Sequence, residues 1–160
     1  MLEFLAPWRN SRVVILGVGN VLKGDDAAGP LVCERLSGKV PVRVIDAGTA
    51  PENYIGPILE TAPDVLLIVD AVDFAGRPGQ IRVCGLDQIH AFAFSTHALS
   101  LHLSIDMILR ARKLEVCLIG IQAGRVELGE GPSSAIREAV GTLVDALTAL
   151  FRPAGQERGR

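Results

Sequence analysis

Residues 13–32 read VVILGVGNVLKGDDAAGPLV. The apolar run VVIL enters Gly17-Val18-Gly19-Asn20, the pattern of a buried strand running into a glycine turn. Asp25 and Asp26 then precede Ala28, Leu31, Val32 and Leu36, which are apolar at helical spacing, and aspartate is a favoured N-cap. Pro30 is tolerated only in a first helical turn, so the helix starts close to it. A strand, a tight turn and a helix in this order open an α/β sheet.

The same alternation continues outward. VRVI (42–45) reads as a second strand ending at Asp46-Ala47-Gly48-Thr49, and Pro51 and Glu52 open a shorter helix to about Glu60. VLLIV (65–69) is wholly apolar, hence a central strand, and ends at Asp70. QIRVC (80–84) and EVCLIGI (115–121) supply a fourth and a fifth strand. Residues 98–112 alternate apolar and polar, yet Leu101, Ile105, Ile108 and Leu109 also form a helical stripe; fifteen residues without a turn signal favour helix. Pro132 and Ser133 start a last helix lined by Ile136, Val140, Leu143, Val144, Leu147 and Leu150. The expectation is a single three-layer α/β domain over residues 1–151: a twisted, five-stranded, mostly parallel sheet with one antiparallel strand and helices on both faces. Residues 152–160 are expected to form a flexible tail. The short connection at Gly76–Gly79 suggests that strand 80–84 returns antiparallel against strand 65–69 as a hairpin, towards an edge. Phe4 and Trp8 are expected to pack the N-terminal segment on the sheet.

The 160 residues suit one domain, and 49% hydrophobic with 21% charged residues is a globular composition. A formal net charge of −2 offers no broad basic field, which excludes nucleic acid as a partner. Cys33, Cys84 and Cys117 are odd in number, far apart and set in apolar stretches, so they read as buried small hydrophobes in a reducing compartment. The opening MLEFLAPWRNS lacks the layout of a signal peptide, and no apolar run approaches the ~20 residues of a membrane span. A cytoplasmic monomer without a membrane partner is expected.

In a mostly parallel sheet, sites form at the carboxyl ends of strands. That rule selects Asn20 to Asp26, Asp46 to Thr49 and Asp70 to Asp73. A dinucleotide site would use Gly17-x-Gly19 and Asp46, but Leu22 stands where the third glycine belongs, and two carboxylates occupy the helix start that phosphate needs. No Gly-x-x-x-x-Gly-Lys run exists. A metal site would use Asp26, Asp70 and His97, a set suited to a first-row divalent ion; residue types do not choose among zinc, nickel and manganese. Each residue also has a plain structural use: a helix cap for Asp25 or Asp26, turn amides for Asp70, a cap for His97. Asp25 is read as the cap, Asp73 as a ligand-orienting or loop carboxylate, and Arg77 as a solvated turn residue. His102 is read as packing or solvent-facing, and His90 as lying on a short surface helix.

GVGNVLKGDDAAGPLV (17–32), DAGTAPEN (46–53), LLIVDAVDFAGRPGQIRV (66–83), STHALSL (95–101) and LIGIQ (118–122) together resemble the NiFe-hydrogenase maturation endopeptidases in order and spacing. The closest likeness is to the branch that processes formate-hydrogenlyase-type (group 4, hydrogenase 3) large subunits. The resemblance implies an endopeptidase that removes the C-terminal extension of a NiFe-hydrogenase large-subunit precursor after nickel insertion. It implies Asp26, Asp70 and His97 as metal contacts, with Asp26 and Asp70 as catalytic carboxylates. Asp46, Gly48 and Thr49 would face the substrate. Nickel would arrive with the substrate, and another divalent cation could occupy the site in the free protein. His97 and Asp70 are expected to face a solvent-filled cleft. Ala47 and Ala27 replace glycines usual in the family. A non-catalytic nickel-binding or docking factor is the alternative of another class, and a dinucleotide-binding protein a third. No Ser-His-Asp or Cys-His arrangement is evident.

Overall fold

The computed structural model describes residues 2–89 and 97–152; His90 and the tail 153–160 lie outside the described residues. Helix α1 (Leu2–Leu5) and a 3-10 turn (Ala6–Trp8) lead into β1 (Val13–Val18). A 3-10 turn (Gly24–Ala27) precedes α2 (Ala28–Leu36), then β2 (Arg43–Gly48), a 3-10 turn (Pro51–Tyr54), α3 (Ile55–Glu60) and β3 (Val65–Val72). The chain continues through β4 (Ile81–Gly85), α4 (Leu86–Ile89), α5 (Ala98–Ala111), β5 (Glu115–Gln122) and α6 (Ser134–Phe151). The expected fold class is the observed one: a single α/β domain on a five-stranded sheet ordered β2-β1-β3-β5-β4, with β4 the antiparallel edge strand and the other four parallel.

The hairpin expectation fails in one respect. β4 is antiparallel and at the edge, but its partner is β5, not β3. β3 is buried along all eight residues and pairs in parallel with β1 on one side and β5 on the other, so it has no free edge for β4. The connection 73–80 instead passes over the end of β5, where Gln122 holds it. Phe74 N and Gly76 N donate to Gln122 Oε1 at 2.9 and 3.0 Å, and Gln122 Nε2 donates to Asp73 Oδ1 at 3.1 Å. Gln122 N donates to Gln80 O at 2.8 Å and Gly79 N to Gln122 O at 2.9 Å. The buried Gln122 needs such partners, and with side chain and backbone together it ties the crossing to the end of β5.

Alternation along the strands sorts the core into two layers. Val13, Ile15, Val65, Leu67 and Val69 face α2 and α6. Val14, Leu16, Leu66, Ile68 and Val72 face Ile58 of α3 and Leu101, Ile105 and Ile108 of α5. The helical stripe therefore prevails in residues 98–112, because a layer of apolar strand residues awaits it. Ser133 caps α6, its hydroxyl accepting from Ile136 N. Trp8 is buried in the first layer and donates Nε1–H to Glu115 Oε2 at 2.8 Å; Phe4 stays half exposed and meets the Trp8 ring edge-on.

One close approach positions the site. In the first turn of α2, a Cβ on Gly29 would collide with Val18 O and Val69 O, so the helix start sits directly on the ends of β1 and β3. Only glycine permits this contact. Gly29→Ala is expected to cost about 1–3 kcal/mol in denaturant unfolding, as overpacking does; unchanged stability would refute the close approach.

Candidate functional site

The loop between β1 and α2 is closed by its own polar groups. Asn20 N donates to Asp26 Oδ2 at 2.8 Å, Leu22 N donates to Asn20 Oδ1 at 2.9 Å, and Asp26 N donates to Lys23 O at 3.0 Å. Gly24 takes the left-handed backbone (φ 53°) that turns the chain into the 3-10 segment. The closure leaves the Asp26 carboxylate buried at the carboxyl edge of the sheet.

His97 reaches the same carboxylate from the opposite layer. It precedes α5, and its carbonyl accepts the first helical bond, from Leu101 N at 2.9 Å. Its Nε2 lies 3.2 Å from Asp26 Oδ2. Two atoms bound to one zinc-like ion at ~2.0–2.2 Å stand roughly 3.0–3.5 Å apart, so this spacing fits a shared ion. A carboxylate oxygen and an imidazole nitrogen are also the donors that first-row divalent ions accept.

Asp70 occupies β3 opposite Gly120 of β5. Alternation from Leu66 and Ile68 puts it in the α5 layer, the layer that His97 heads. The structure brings Asp26 and His97 together but does not close Asp70 around the same point: among the described residues, no three His, Cys, Asp or Glu side chains are gathered tightly enough to hold an ion. The expectation of solvent-facing side chains is corrected, since Asp70 is 2% and His97 9% exposed. Both lie in the α5 layer, and packing there covers what a strand-end position would otherwise expose.

Asp46, Gly48 and Thr49 form the neighbouring strand end. Asp46 is exposed and turns its carboxylate back onto its own loop, accepting from Gly48 N at 2.9 Å. Gly48 carries the left-handed backbone (φ 53°), and its carbonyl accepts from Gly19 N at 2.8 Å, coupling this loop to the first. Ala47 has no positive φ and lies buried in the α5 layer, and Ala27 has φ −72°, so neither alanine is strained where relatives carry glycine. Burial, and after it the negative charge of Asp46, push the Cys33 thiol up to about 12. Burial likewise leads in raising Cys117 to about 12. Such thiols are inert at neutral pH.

Asp25 does not cap α2. It is fully buried and fastens the loop before α6 onto the site loop: Gly124 N and Arg125 N donate to its Oδ2 at 2.7 and 2.9 Å, and Ser133 N to its Oδ1 at 2.7 Å. Its donors lie about a hundred residues downstream, where no local signal in the sequence points. Asp73 serves its turn, accepting from Ala75 N at 2.9 Å and from Gln122, and Arg77 is exposed in that turn. His102 is half-buried in the second turn of α5. Glu52, not singled out from the sequence, bonds Ser100 Oγ and lies near enough to His97 for the two charges to interact. The Ala-Pro-Glu-Asn segment was the available signal.

Burial raises the Asp25 carboxyl, but the backbone N–H groups of Arg125, Ser133 and Gly124 outweigh it and hold the pKa below its ordinary value. A depressed folded pKa contributes stability that is complete above the unfolded pKa of ~3.9 and lost as pH falls through the folded one. Asp25→Asn is therefore expected to cost about 1–3 kcal/mol at neutral pH, since its amide would face at least one N–H donor. The variant should also lose this share of the acid dependence. Urea unfolding of both proteins between ~pH 3 and 6 tests it; parallel pH profiles would refute it.

A family model described as hydrogenase maturation protease (HycI) matches residues 31–150. The chain is 42% identical over 137 residues to the hydrogenase 3 maturation protease of Escherichia coli K12, covering 84% of this chain and 87% of that protein. The crystal structure of the [NiFe] hydrogenase maturation protease HycI from Thermococcus kodakarensis KOD1 superposes with TM-score 0.83 at 34% identity, over 94% of this chain and 99% of that one. The solution structure of the endopeptidase HycI from E. coli gives TM-score 0.77 at 35% identity, over 91% and 99%.

Proposed function

This chain belongs to the hydrogenase maturation protease family, and on that premise we propose that it uses Asp26, Asp70 and His97 to recognise nickel already bound in its precursor. It is an endopeptidase that processes a hydrogenase large subunit, in the hydrogenase 3 branch. The reading is that it removes the precursor's C-terminal extension after nickel insertion, acting in the cytoplasm as a monomer. No helix among the described residues is long and apolar enough to cross a membrane.

The observation that carries the proposal is the buried Asp26–His97 pair, with donor atoms 3.2 Å apart. It supplies two contacts to an ion and leaves the rest open. A resident catalytic metal would call for about three convergent protein ligands, whereas an ion delivered by the substrate brings ligands of its own. The carboxylate of Asp70, in the same layer as His97, supplies the further contact when the precursor docks. Asp46, Gly48 and Thr49 form the adjoining loop along which the extension lies. Peptide hydrolysis then needs a polarised carbonyl and an activated water. Nickel contacted by Asp26, Asp70 and His97 would supply Lewis acidity to the scissile carbonyl and to the water, or the Asp26 or Asp70 carboxylate would take the proton.

The test is the mass of the precursor's C-terminus before and after exposure to the protein. A nickel-loaded precursor is expected to lose its extension, and a nickel-free one to stay intact. His97→Ala and Asp70→Asn should each reduce processing by more than the ~10–100-fold that loss of a ligand's outer hydrogen-bond partner costs. Efficient cutting of nickel-free precursor, or unchanged processing by the His97 variant, would overturn nickel recognition. Purified protein should contain well under one nickel per chain by elemental analysis.

A further inference from the structure

The loop that carries Asp26 has an apolar tip. Val21 and Leu22 are 59% and 63% exposed, although the bond from Asn20 N to Asp26 Oδ2 closes the loop directly beneath them. A second loop lies against it and also presents large apolar side chains to solvent, Val126 at 50% and Leu128 at 73%. The two are stitched together by backbone. Gly129 N donates to Leu22 O at 2.8 Å, Gly24 N to Glu130 O at 3.0 Å and Asp25 N to Arg125 O at 2.7 Å, besides the three bonds to the Asp25 carboxylate.

This stitching matters because free loops turn such residues inward, gaining roughly 25 cal/mol per Å² of apolar surface covered. Here the hydrogen bonds fix the backbone with four apolar side chains outward. Charged residues rim them: Lys23, Glu127 and the Arg125–Glu130 ion pair at 3.6 Å. A clustered apolar surface with a polar rim marks a contact for another polypeptide. The exposed row Leu99, Leu103 and Met107 on α5 is the competing surface. That row begins at Leu99, two residues after His97, and runs along the helix away from it, whereas Val21 and Leu22 lie inside the loop that Asp26 closes.

We propose that Val21, Leu22, Val126 and Leu128 form a docking lip for an apolar stretch of the precursor polypeptide next to the bond that is cut. The proposal rests on the reading of the Asp26–His97 site as the place of cleavage. The occupant follows from continuity: the lip and the site are one hydrogen-bonded unit, so a chain seated at Asp26 lies against the lip. The lip contributes binding in ground and transition states alike, which sets KM rather than kcat.

The test compares processing of nickel-loaded precursor by the wild type, a Leu22→Asp/Leu128→Asp double variant, and Met107→Asp as a charge control at the far end of α5. The double variant is expected to raise KM at least about tenfold with kcat within about threefold, and Met107→Asp to change neither. An equal effect of Met107→Asp, or an unchanged KM in the double variant, overturns the lip. A wild type that leaves the precursor intact overturns the reading of the site instead. Should the double variant fail to fold, a photo-cross-linking residue at Val126 decides the matter. Cross-links to residues flanking the cleavage point support the lip. Cross-links to a second copy of this chain, or only to distant parts of the precursor, overturn it.

Discussion

Two adjacent carboxylates are buried at the carboxyl edge of the sheet, and a buried carboxylate must find donors. Asp25 and Asp26 find theirs in different parts of the chain. Asp25 takes three backbone N–H groups from residues 124, 125 and 133, while Asp26 takes Asn20 N and stands beside His97. Those two demands draw together the loop after β1, the loop after β5, the start of α6 and the start of α5. The edge of the sheet is thus organised by polar satisfaction, while the layers beneath it are organised by apolar burial. Gly29 lets α2 approach closely enough for both demands to be met at once.

The division of labour between the two acids also explains the chemistry available. Asp25 spends both oxygens on backbone amides and has nothing to offer a ligand. Asp26 shares a single oxygen between the Asn20 amide and the imidazole, so a cation there would displace only the imidazole contact rather than a set of loop-holding bonds. His97 belongs to the layer of α3 and α5, and Asp26 to the loop entering the layer of α2 and α6. The pair therefore joins both faces of the sheet at its rim. The cysteines take no part: Cys117 and Cys84 lie buried in the two apolar layers, and the buried Cys33 donates its thiol to Ile45 O.

Much of this was readable from residue order. Apolar runs ending in glycine or aspartate located the strands, and the strand-end rule picked out Asp26, Asp70 and the Asp46 loop. What could not be read depends on long-range partners. Asp25 resembles an N-cap because capping is the only local use for an acid there; its actual donors lie far along the chain. Asp70 reads as solvent-facing until the layer that covers it is known. Residues 80–84 satisfy the length rule for a hairpin with residues 65–69. Only the parallel pairing of β5 with β3 excludes that outcome, and pairing between distant strands has no signature in either segment. Glu52 carries no periodicity of its own and gains meaning from Ser100, on another helix.

The crossing of residues 73–80 over the end of β5 bears on how the chain is made. β3 and β4 leave the ribosome before β5 exists, joined by a connection short enough to pair them directly. The native order instead seats β5 between them. A hairpin of β3 and β4, were it to form first, would have to open to admit the later strand and so would stand off the productive route. The bonds of Gln122, at the last position of β5, to residues 73–80 require β5 to lie between β3 and β4, so they belong to the native order and not to a β3–β4 hairpin.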